Sequence, residues 1–531
     1  MRKAVPAVLL ALAVFLLYRK VTRLWWTFDD VYHLKVAVAH DWTLPFTDKV
    51  VWPQNLFTPL LSATHELLFA AFSIDAARWY AVHLALLVLA SLGVLAALRL
   101  YVPRPAALAG AFLFAAGVPL SATATQIMVI HHLEAILLGS LSLVLYVEGV
   151  RRHRQWMSIL SALLYLAAIL AKGSAILLPL FLLALPERDL EKRLRHLIGH
   201  LVAVVAFIGW RWMVFGTLSG AYGGFALAPH ELPLLIVTLP FKVIAACAGA
   251  APAAGLALIA VMLVAAATLF RTRRHAALAV IGLLLVLAPL IPISKALKPT
   301  DAVVPWLWMC ALFAVGIEHV RWRNAVILLA LAFAGIANRQ EWTAEYNRAR
   351  RMSEEARFFV GMGGDAILRH PRIPPATMSE LVWLKEIHLQ RPAGGQWFYD
   401  DLFLCNAQFS GKRLFEFDDE RRQVVEITAR VPDLAARYCA EIRLDAPLRA
   451  EFHHRDQALF WRFGPYESGK WSVVIANGLQ AFEVPREDGF RLAGLNGIAL
   501  RVRYQAPEGW VTYSPEIALD FAREPDRVWR R

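Results

Sequence analysis

Long apolar runs separated by short charged breaks fill roughly the first 340 residues of the chain. Most of these runs approach the length that a helix needs to cross the roughly 30 Å hydrocarbon core of a bilayer. The pattern predicts about eleven spanning helices, at about 4–18, 79–100, 106–121, 130–148, 156–171, 174–186, 197–215, 253–270, 276–293, 303–317 and 324–338. Residues 1–340 are therefore expected to form an α-helical polytopic membrane domain, with a long first loop at about 19–78.

The pattern changes after residue 340. Charged residues become frequent, and stretches such as "KWSVVIANGLQAFEVP" alternate apolar and polar side chains between Gly, Pro and Asn breaks. Alternation with a period of two is typical of antiparallel strands with one buried face. We expect residues 341–531 to form a helical linker followed by a mainly β domain, for which a sandwich is one arrangement.

The opening "MRKAVPAVLLALAVFLLYRK" has the charged start and apolar centre of a secretory signal. The following "VTRLWW" lacks the small residues of a cleavage site, which favours a first helix that is retained.

Charge is distributed unevenly along the chain, whose formal net charge is +13. Residues 1–340 contain 28 Lys and Arg against 14 Asp and Glu, whereas residues 341–531 contain 27 against 28. The basic excess lies in the loops of the membrane half, where it sets orientation, and it does not indicate a nucleic-acid partner. Five short basic loops fall on one predicted side, which is then cytoplasmic, provided that residues 230–249 do not span. The first loop and the tail would then lie on the outer side of the cytoplasmic membrane.

Four cysteines are present. Cys247 and Cys310 lie in apolar segments and are expected to be buried. Cys405 and Cys439 can form a disulfide if the tail lies in an oxidising compartment, and two unpaired core thiols are the alternative.

An acid pair, Asp29 and Asp30, follows the first apolar segment within "WWTFDDVYHLKVA". One interpretation is a helix cap in a solvated loop, since Asp is a good N-cap. The other is a functional carboxylate pair at the outer membrane surface. A divalent cation at this pair is left open, although two successive carboxylates alone do not require one, and no other cofactor is implied.

Five cations lie on the predicted outer side or inside apolar segments, where positive charge is costly: Lys172, Arg211, Lys242, Lys295 and Lys298. Lys172 follows an apolar segment shorter than a full span, so its position should lie below the membrane surface, in a cavity. Snorkelling toward lipid headgroups is the alternative for all five.

The stretch "HHLE" contributes His131, His132 and Glu134 near the outer end of a predicted helix. Adjacent histidines lack the i, i+4 spacing of a helical metal site, so no metal site is assigned. These residues are candidates to bind a substrate by hydrogen bonds, with polar filling of a helix end as the alternative.

The order of these features resembles the GT-C class of membrane glycosyltransferases, particularly the protein O-mannosyltransferase and aminoarabinose-transferase branch. The resemblance covers about residues 1–340 and rests on the acid pair, "NLFTPLLSATHELLFAAF", "VPLSATATQIMVIHHLEAILL", "LAKGSAILLPL" and "GWRWMVFG". The chain departs from the tetratricopeptide-bearing relatives because Gly173 follows Lys172 and because the tail is no tetratricopeptide array.

The resemblance implies an inverting enzyme that moves a sugar from a polyprenyl-phosphate carrier to an acceptor hydroxyl on a lipid, glycan or protein. It also implies that Asp29 or Asp30 is the general base, with Asp29 favoured, and that outer cations hold the phosphate. The competing class is a non-enzymatic membrane protein, either a transporter or a scaffold presenting the β domain. The sequence shows no symmetry between halves of the kind that transporters have.

Overall fold

A computed structural model describes residues 4–27, 30–38, 43–48, 57–187, 189–216, 232–369, 381–386, 398–399, 405, 412–455, 458–475, 480–491 and 497–531. The chain divides into two units, Met1–Ala349 and Arg350–Arg531. The division lies inside one long helix, nine residues beyond the boundary predicted from the change in composition.

The first unit is helical in its described part. Its helices are α1 (Val5–Tyr18), α2 (Asp30–Val38), α3 (Leu44–Thr47), α4 (Pro59–Phe72), α5 (Ala76–Leu98), α6 (Arg104–Ala115), α7 (Val118–Ala124), α8 (Ile130–Arg152), α9 (Gln155–Ala171), α10 (Leu178–Ala184), α11 (Leu190–Phe215), α12 (Leu232–Ala248), α13 (Pro252–Ala267), α14 (Arg273–Leu287), α15 (Val303–Gly316) and the start of α16 (Arg323–Gly361).

The eleven predicted spans fall on helical segments, and the span at 106–121 covers two helices, α6 and α7. Within the described residues, seven helical segments are long and apolar enough to cross a membrane, or eight if the bent pair α6–α7 forms one span. α9 and the segment through α10 are apolar but shorter, and the last predicted span is the start of α16. The chain is a multi-pass membrane protein.

The segment expected not to span is α12, which has 17 residues and contains Pro240. It packs against α13, α7 and the two 3₁₀ turns Ala288–Ala296 and Pro299–Ala302. The Lys242 ammonium donates to the Ser294 carbonyl at 2.8 Å, which ties α12 to the first of these turns.

The chain bends by 53° between α6 and α7. Pro119 has no N–H to donate to the Ala115 carbonyl one turn earlier. In a membrane bundle such freed carbonyls need other donors. The Tyr18 hydroxyl donates to the Ala115 carbonyl at 2.7 Å, and the Trp306 indole N–H donates to the Leu113 carbonyl at 3.1 Å.

Gly117 makes room for the Trp306 indole at this bend. A Cβ on Gly117 would lie 2.0 Å from Nε1 of Trp306, closer than real side chains allow. The bend also anchors α16, because the Asn338 amide donates to the Tyr18 hydroxyl at 3.0 Å and to the Ser121 hydroxyl at 2.9 Å. These contacts fix α7 and the segment after it, which carries Met128.

The second unit begins with a four-stranded sheet of order β2-β1-β3-β4. Its strands are β1 (Ala366–Arg369), β2 (Phe398–Tyr399), β3 (Arg413–Asp418) and β4 (Gln423–Glu426). β1 is parallel to β2 and β3, and β3 and β4 are antiparallel. Helix α17 (Val431–Glu441) packs Val431 and Leu434 against Ile367 and Leu414 of this sheet. This mixed α/β layer was not anticipated from the sequence.

The remaining strands form the predicted β domain as two packed sheets. They are β5 (Arg449–Arg455), β6 (Ala458–Gly464), β7 (Lys470–Ile475), β8 (Gln480–Val484), β9 (Glu487–Arg491), β10 (Gly497–Gln505), β11 (Val511–Tyr513), β12 (Ile517–Asp520) and β13 (Asp526–Arg530). One sheet has the order β11-β10-β7-β8 with β12 paired to β10, and the other has the order β13-β5-β6-β9. Their inner faces share one apolar core, which includes Phe452, Phe463, Trp471, Val502 and Tyr504.

Candidate functional site

Asp30, at the start of α2, is fully buried. Its Oδ1 accepts the Met128 backbone N–H at 2.8 Å. Its Oδ2 accepts the Thr27 backbone N–H at 3.0 Å and the Thr27 hydroxyl at 3.2 Å, and the Tyr80 hydroxyl lies 3.5 Å away. Both oxygens of this carboxylate are engaged in hydrogen bonds within the protein.

Thr27 and Asp30 start α2 reciprocally. The Thr27 carbonyl accepts the Asp30 N–H at 3.0 Å while the Asp30 side chain accepts the Thr27 N–H. This is one half of a capping box: the Asp30 side chain satisfies the backbone donor three residues earlier, whereas the Thr27 carbonyl, and not its hydroxyl, accepts the Asp30 N–H. Tyr80 supports the arrangement from α5, since its hydroxyl also donates to the Thr125 carbonyl at 3.0 Å. Asp30 is therefore buried at the entrance of α2 and bonded to Thr27 and Met128, and it does not lie in the solvated loop that one interpretation of the sequence assumed.

A chain of hydrogen bonds joins Asp30 to Lys172. The His131 Nδ1 lies 2.9 Å from the Met128 carbonyl, and since a carbonyl only accepts, Nδ1 carries the hydrogen. Nε2 of His131 is then an acceptor, and the Lys172 ammonium donates to it at 3.3 Å. Because the Met128 N–H donates to Asp30, the peptide groups around Met128 connect the acid to the cation.

Lys172 ends α9, a helix of 17 residues. At 1.5 Å per residue it is about 26 Å long, shorter than the roughly 30 Å hydrocarbon core. In the structure Lys172 lines a groove, and the expectation that it lies below the membrane surface stays a prediction.

This groove is apolar and has a volume of about 500 Å³. Lys172 and His132 lie at one end, and Tyr101, Pro186 and His275 lie toward the opposite end of the helices. Leu, Ile, Val and Ala side chains of α5, α8, α10, α14 and α15 form most of the wall. The groove offers a cation next to a long apolar channel, which suits an anionic headgroup attached to a hydrocarbon chain.

Glu134 lies on α8 one turn after His131, on the same helix face. The Thr64 hydroxyl donates to its Oε1 at 2.6 Å. Its Oε2 is buried and has no hydrogen-bond partner among the described residues. A buried carboxylate oxygen of this kind can accept a hydrogen bond from a hydroxyl of a bound molecule.

His65, the residue after Thr64 on α4, is buried. Its Nδ1 donates to the Leu61 carbonyl at 2.9 Å, and its ring packs edge-on against Trp79 at 5.2 Å. Burial lowers the pKa of His65 from 6.5 to about 4, so the imidazole is neutral at physiological pH.

Asp301 is an acid close enough to Lys172 to interact with it electrostatically. Its Oδ2 accepts the Lys298 backbone N–H at 3.0 Å, which starts the turn Pro299–Ala302. The Lys298 side chain is exposed.

The other predicted cations lie elsewhere in the first unit. The Arg211 guanidinium packs over the Phe215 ring at 5.3 Å, and Phe215 contacts Phe57 of the first loop. Lys242 is the residue that holds the Ser294 carbonyl. In the described part of the chain, neither residue lines the groove.

Two predicted residues cannot be placed. Asp29 and the Lys295 side chain lie outside the described residues. Among the residues that the structure does describe, no three His, Cys, Asp or Glu side chains form a group able to hold a metal ion.

Sequence reasoning did not single out Thr27, Thr64, Tyr80 or Asp301. Thr27 carried a usable signal, because Thr followed three residues later by an acid is a capping pattern. Thr64, Tyr80 and Asp301 reach the site only through tertiary packing, which no local pattern encodes.

In the second unit Cys405 and Cys439 are joined by a disulfide, with their Cα atoms 5.5 Å apart. Cys247 and Cys310 in the first unit are buried free thiols.

No model of a known protein family matches the sequence, and no curated protein matches it. Among solved structures, the chain is similar to ArnT from Cupriavidus metallidurans bound to undecaprenyl phosphate, with 14% identity, 78% of this chain and 93% of that chain covered, and a TM-score of 0.45. It is also similar to the arabinofuranosyltransferase AftD from Mycobacteria, with 15% identity and a TM-score of 0.41. The match covers 93% of this chain and 40% of that chain.

A third similar structure is the archaeal oligosaccharyltransferase AglB from Archaeoglobus fulgidus, in complex with an inhibitory peptide and a dolichol-phosphate. Its identity is 13%, the coverage is 71% of this chain and 59% of that chain, and the TM-score is 0.41.

Proposed function

We propose that this protein is a membrane glycosyltransferase of the GT-C type that moves a sugar from a polyprenyl-phosphate carrier to an acceptor hydroxyl. The observation that carries the proposal is the hydrogen-bond chain from Asp30 through Met128 and His131 to Lys172. This chain connects the two charges that the reaction needs. The acid pair would lie beside the acceptor, and the cation would bind the phosphate. The carrier is of the kind bound in the ArnT and AglB structures named above.

The two acids of the pair have different roles in this proposal. A general base needs an oxygen free to take a proton. Both oxygens of Asp30 already accept hydrogen bonds in a buried setting, so Asp30 positions the loop. Asp29, its neighbour in the chain, is the proposed base.

The transfer balances as a single displacement. The acceptor oxygen forms a bond to the anomeric carbon from the face opposite the phosphate, and its proton passes to the Asp29 carboxylate. The bond between the anomeric carbon and the phosphate oxygen breaks, and its electron pair leaves with the polyprenyl phosphate. The anomeric configuration is inverted.

Lys172 stabilises the charge that develops on the departing phosphate. His131 holds the ammonium in place, and His132 lines the groove beside it. A fixed cation in a site of low polarity stabilises developing negative charge more than the same cation in water. The groove receives the hydrocarbon chain of the carrier.

Glu134 is proposed to bind a hydroxyl of the sugar or of the acceptor through its buried Oε2. The other four cations are proposed to act indirectly, at the membrane surface: Arg211, Lys242, Lys295 and Lys298. Lys298 is exposed, and Arg211 lies beside the first loop. Both are suited to attract the anionic headgroup before it enters the groove.

The site is proposed to face away from the cytoplasm across the inner membrane, with a cytoplasmic N-terminus. Two features support this side: the basic short loops lie opposite Asp30, and the second unit holds a disulfide, which forms in oxidising compartments. The tail would then be extracytoplasmic.

The proposal can be tested by comparing Lys172→Met with Lys192→Met in proteoliposomes that contain labelled polyprenyl-phosphate sugars and a membrane extract as the source of acceptor. Losing the fixed cation should lower transfer by roughly 100-fold or more. Lys192→Met, which removes an exposed cation that has no role in the proposed site, should keep transfer within about threefold. Thermal unfolding of both variants controls for folding. Wild-type transfer by a folded Lys172→Met protein would contradict the assignment.

A further inference from the structure

Two short basic loops meet at the end of the groove that lies away from Lys172. One loop joins α13 to α14 and the other joins α15 to α16. The Thr268 hydroxyl donates to the Gly316 carbonyl at 2.9 Å, and the rings of His275 and His319 lie 6.2 Å apart. His275 also lines the groove. We call the surface formed by five residues at these loops the basic patch: Arg271, Arg273, His275, His319 and Arg321.

The two loops are packed closely against each other. A Cβ on Gly316 would lie 2.2 Å from the Ala265 carbonyl oxygen, so the end of α15 approaches the end of α13 as closely as only glycine allows. Arg273 and Arg321 each lie two residues from the histidine of their own loop, a separation that the chain spans in at most about 7 Å. Arginines from both loops can therefore reach one ligand beside the two histidines.

The basic patch has more positive charge than the acid of its loops neutralises. The two loops and the first turns of the helices after them contain five arginines and a single acid, Glu318. Glu318 is already paired with Arg323, at 3.4 Å. Three arginines are exposed and form no ion pair in the part of the chain that the structure describes: Arg271, Arg273 and Arg321.

The basic patch lies where three apolar helical segments end. The segments Pro252–Arg271, His275–Ser294 and Pro299–His319 are long and apolar enough to span, and each has one end in the patch. Two exposed aromatic side chains flank the arginines, Phe270 at 58% and Trp322 at 71% exposure. Aromatic side chains at the ends of spanning helices are typical of the level of the lipid headgroups. Lipid headgroups can therefore reach the patch.

We propose that the basic patch binds one anionic phospholipid of the bilayer. Its exposed arginines donate charge-assisted hydrogen bonds to the phosphate oxygens of the lipid. Exposed apolar side chains of α14, one to three turns beyond the patch, contact the acyl chains: Val280, Ile281 and Leu284. Basic loops attract anionic lipids in general, whereas the two packed loops hold their cations in one place and select one molecule. This binding site goes beyond the proposed transfer reaction and does not depend on it.

A phospholipid fits this surface better than a soluble anion does. A free phosphate ion or a nucleic acid would pair with the arginines but would not cover Phe270, Trp322 and the apolar side of α14. A phospholipid has an anionic group and hydrocarbon chains in one molecule, in the order in which the patch and α14 present cations and apolar side chains. A zwitterionic headgroup carries its own cation beside the phosphate, and the excess positive charge of the patch repels that cation.

The test uses native mass spectrometry of the full-length protein in detergent, with phosphatidylglycerol and phosphatidylcholine of the same acyl chains as separate probes. The first phosphatidylglycerol should bind at least about tenfold more tightly than the first phosphatidylcholine. The double variant Arg271→Gln/Arg273→Gln should lose at least about tenfold in affinity for phosphatidylglycerol and keep its affinity for phosphatidylcholine. Arg321→Gln should weaken phosphatidylglycerol binding by about threefold or more, because both loops contribute.

The matched control is the double variant Arg154→Gln/Arg195→Gln, which removes two exposed arginines outside the basic patch and should keep binding within about twofold. Thermal unfolding of each variant checks the fold. Excess inorganic phosphate should leave phosphatidylglycerol bound, and its release by phosphate would overturn the proposal in favour of a site for the free ion.

The proposal is also overturned if the wild-type protein binds the two lipids equally well, or if the patch variants bind phosphatidylglycerol as the wild type does. A control variant that weakens binding as much as the patch variants do would overturn it too, because the attraction would then follow total charge. Sugar transfer is not read in this experiment, so its outcome is separate from that of the proposed reaction.

Discussion

Replacing Asp30 by Asn removes one of two sets of hydrogen bonds at the start of α2. The carboxylate accepts the Met128 N–H on one oxygen and the Thr27 N–H and hydroxyl on the other. An amide has a single carbonyl oxygen, so its NH₂ group must face one of these donors. A buried backbone N–H is then left without an acceptor.

The cost follows from the geometry. A hydrogen bond to a charged acceptor contributes about 1.5–3 kcal/mol, and an unsatisfied buried donor costs about 1–3 kcal/mol. Asp30→Asn should therefore destabilise the protein by roughly 2.5–6 kcal/mol. The thermal midpoint of the purified protein, followed by tryptophan fluorescence, should fall by on the order of 5 °C or more.

Thr27→Val is the graded control, because it keeps the backbone N–H and removes the hydroxyl, which lies 3.2 Å from Asp30 Oδ2, 3.4 Å from the Tyr80 hydroxyl and 3.5 Å from the Thr125 carbonyl. It should cost about 1 kcal/mol. Sugar transfer by Asp30→Asn should fall together with stability, because the loop that carries Asp29 loses its anchor. A wild-type thermal midpoint for Asp30→Asn would refute the positioning role. It would also reopen the question of which acid takes the proton.

Three further predictions concern the fold around the site and the tail. Buried His65 has a pKa lowered to about 4, so the unfolded chain binds its proton first. Up to about 3 kcal/mol of stability should be lost as pH falls from about 6.5 toward 4. His65→Gln should reduce the fall of the thermal midpoint over this pH range. A pH profile of the thermal midpoint that is the same in the variant would contradict the burial of an uncharged ring. Cys439→Ser should cost roughly 3–4 kcal/mol in the chain-entropy model for a loop of 34 residues, seen as faster proteolysis of the tail, and equal proteolysis would argue against the disulfide. Gly117→Ala should lower the yield of folded protein because its Cβ meets the Trp306 indole, whereas Gly335→Ala, with open space at its Cβ, should be tolerated; similar yields would contradict the packing of the bend.

The membrane half of the fold could be predicted from the sequence because hydrocarbon requires long apolar helices whose backbone groups bond internally. All eleven apolar runs became helical, and the segment with Pro240 became a separate short helix. The sequence did not predict the bend between α6 and α7. That bend depends on Tyr18 and Trp306, which are distant in the chain and supply the missing donors.

The β domain was also predictable, since alternation over β5–β13 reports one buried face per strand. The small sheet of β1–β4 was missed because its strands are four residues or fewer in three of four cases, and parallel pairing leaves no hairpin signal. Short strands of this kind carry too few alternations to separate them from loops.

For the site, residue type and topology were enough to select Asp30, Lys172, His131, His132 and Glu134 as candidates. Their connection through the Met128 peptide could not be predicted, because a backbone group has no signature in the sequence. The sequence also could not separate Lys172 from the other outer cations. Packing distinguishes them: Lys172 faces the groove, whereas Lys242 holds a carbonyl.

The most direct test of the central claim is sugar transfer by the purified protein, measured for the wild type and for Asp29→Asn. The proteoliposomes contain labelled polyprenyl-phosphate sugars and a membrane extract as the source of acceptor hydroxyls. The account predicts that the wild type releases one polyprenyl phosphate for each sugar transferred. Asp29→Asn should lose roughly 100-fold or more in rate while its thermal midpoint stays at the wild-type value. Transfer by Asp29→Asn at the wild-type rate would contradict the assignment of the base, and a wild-type protein that releases no polyprenyl phosphate from any of the carriers would contradict the proposed reaction.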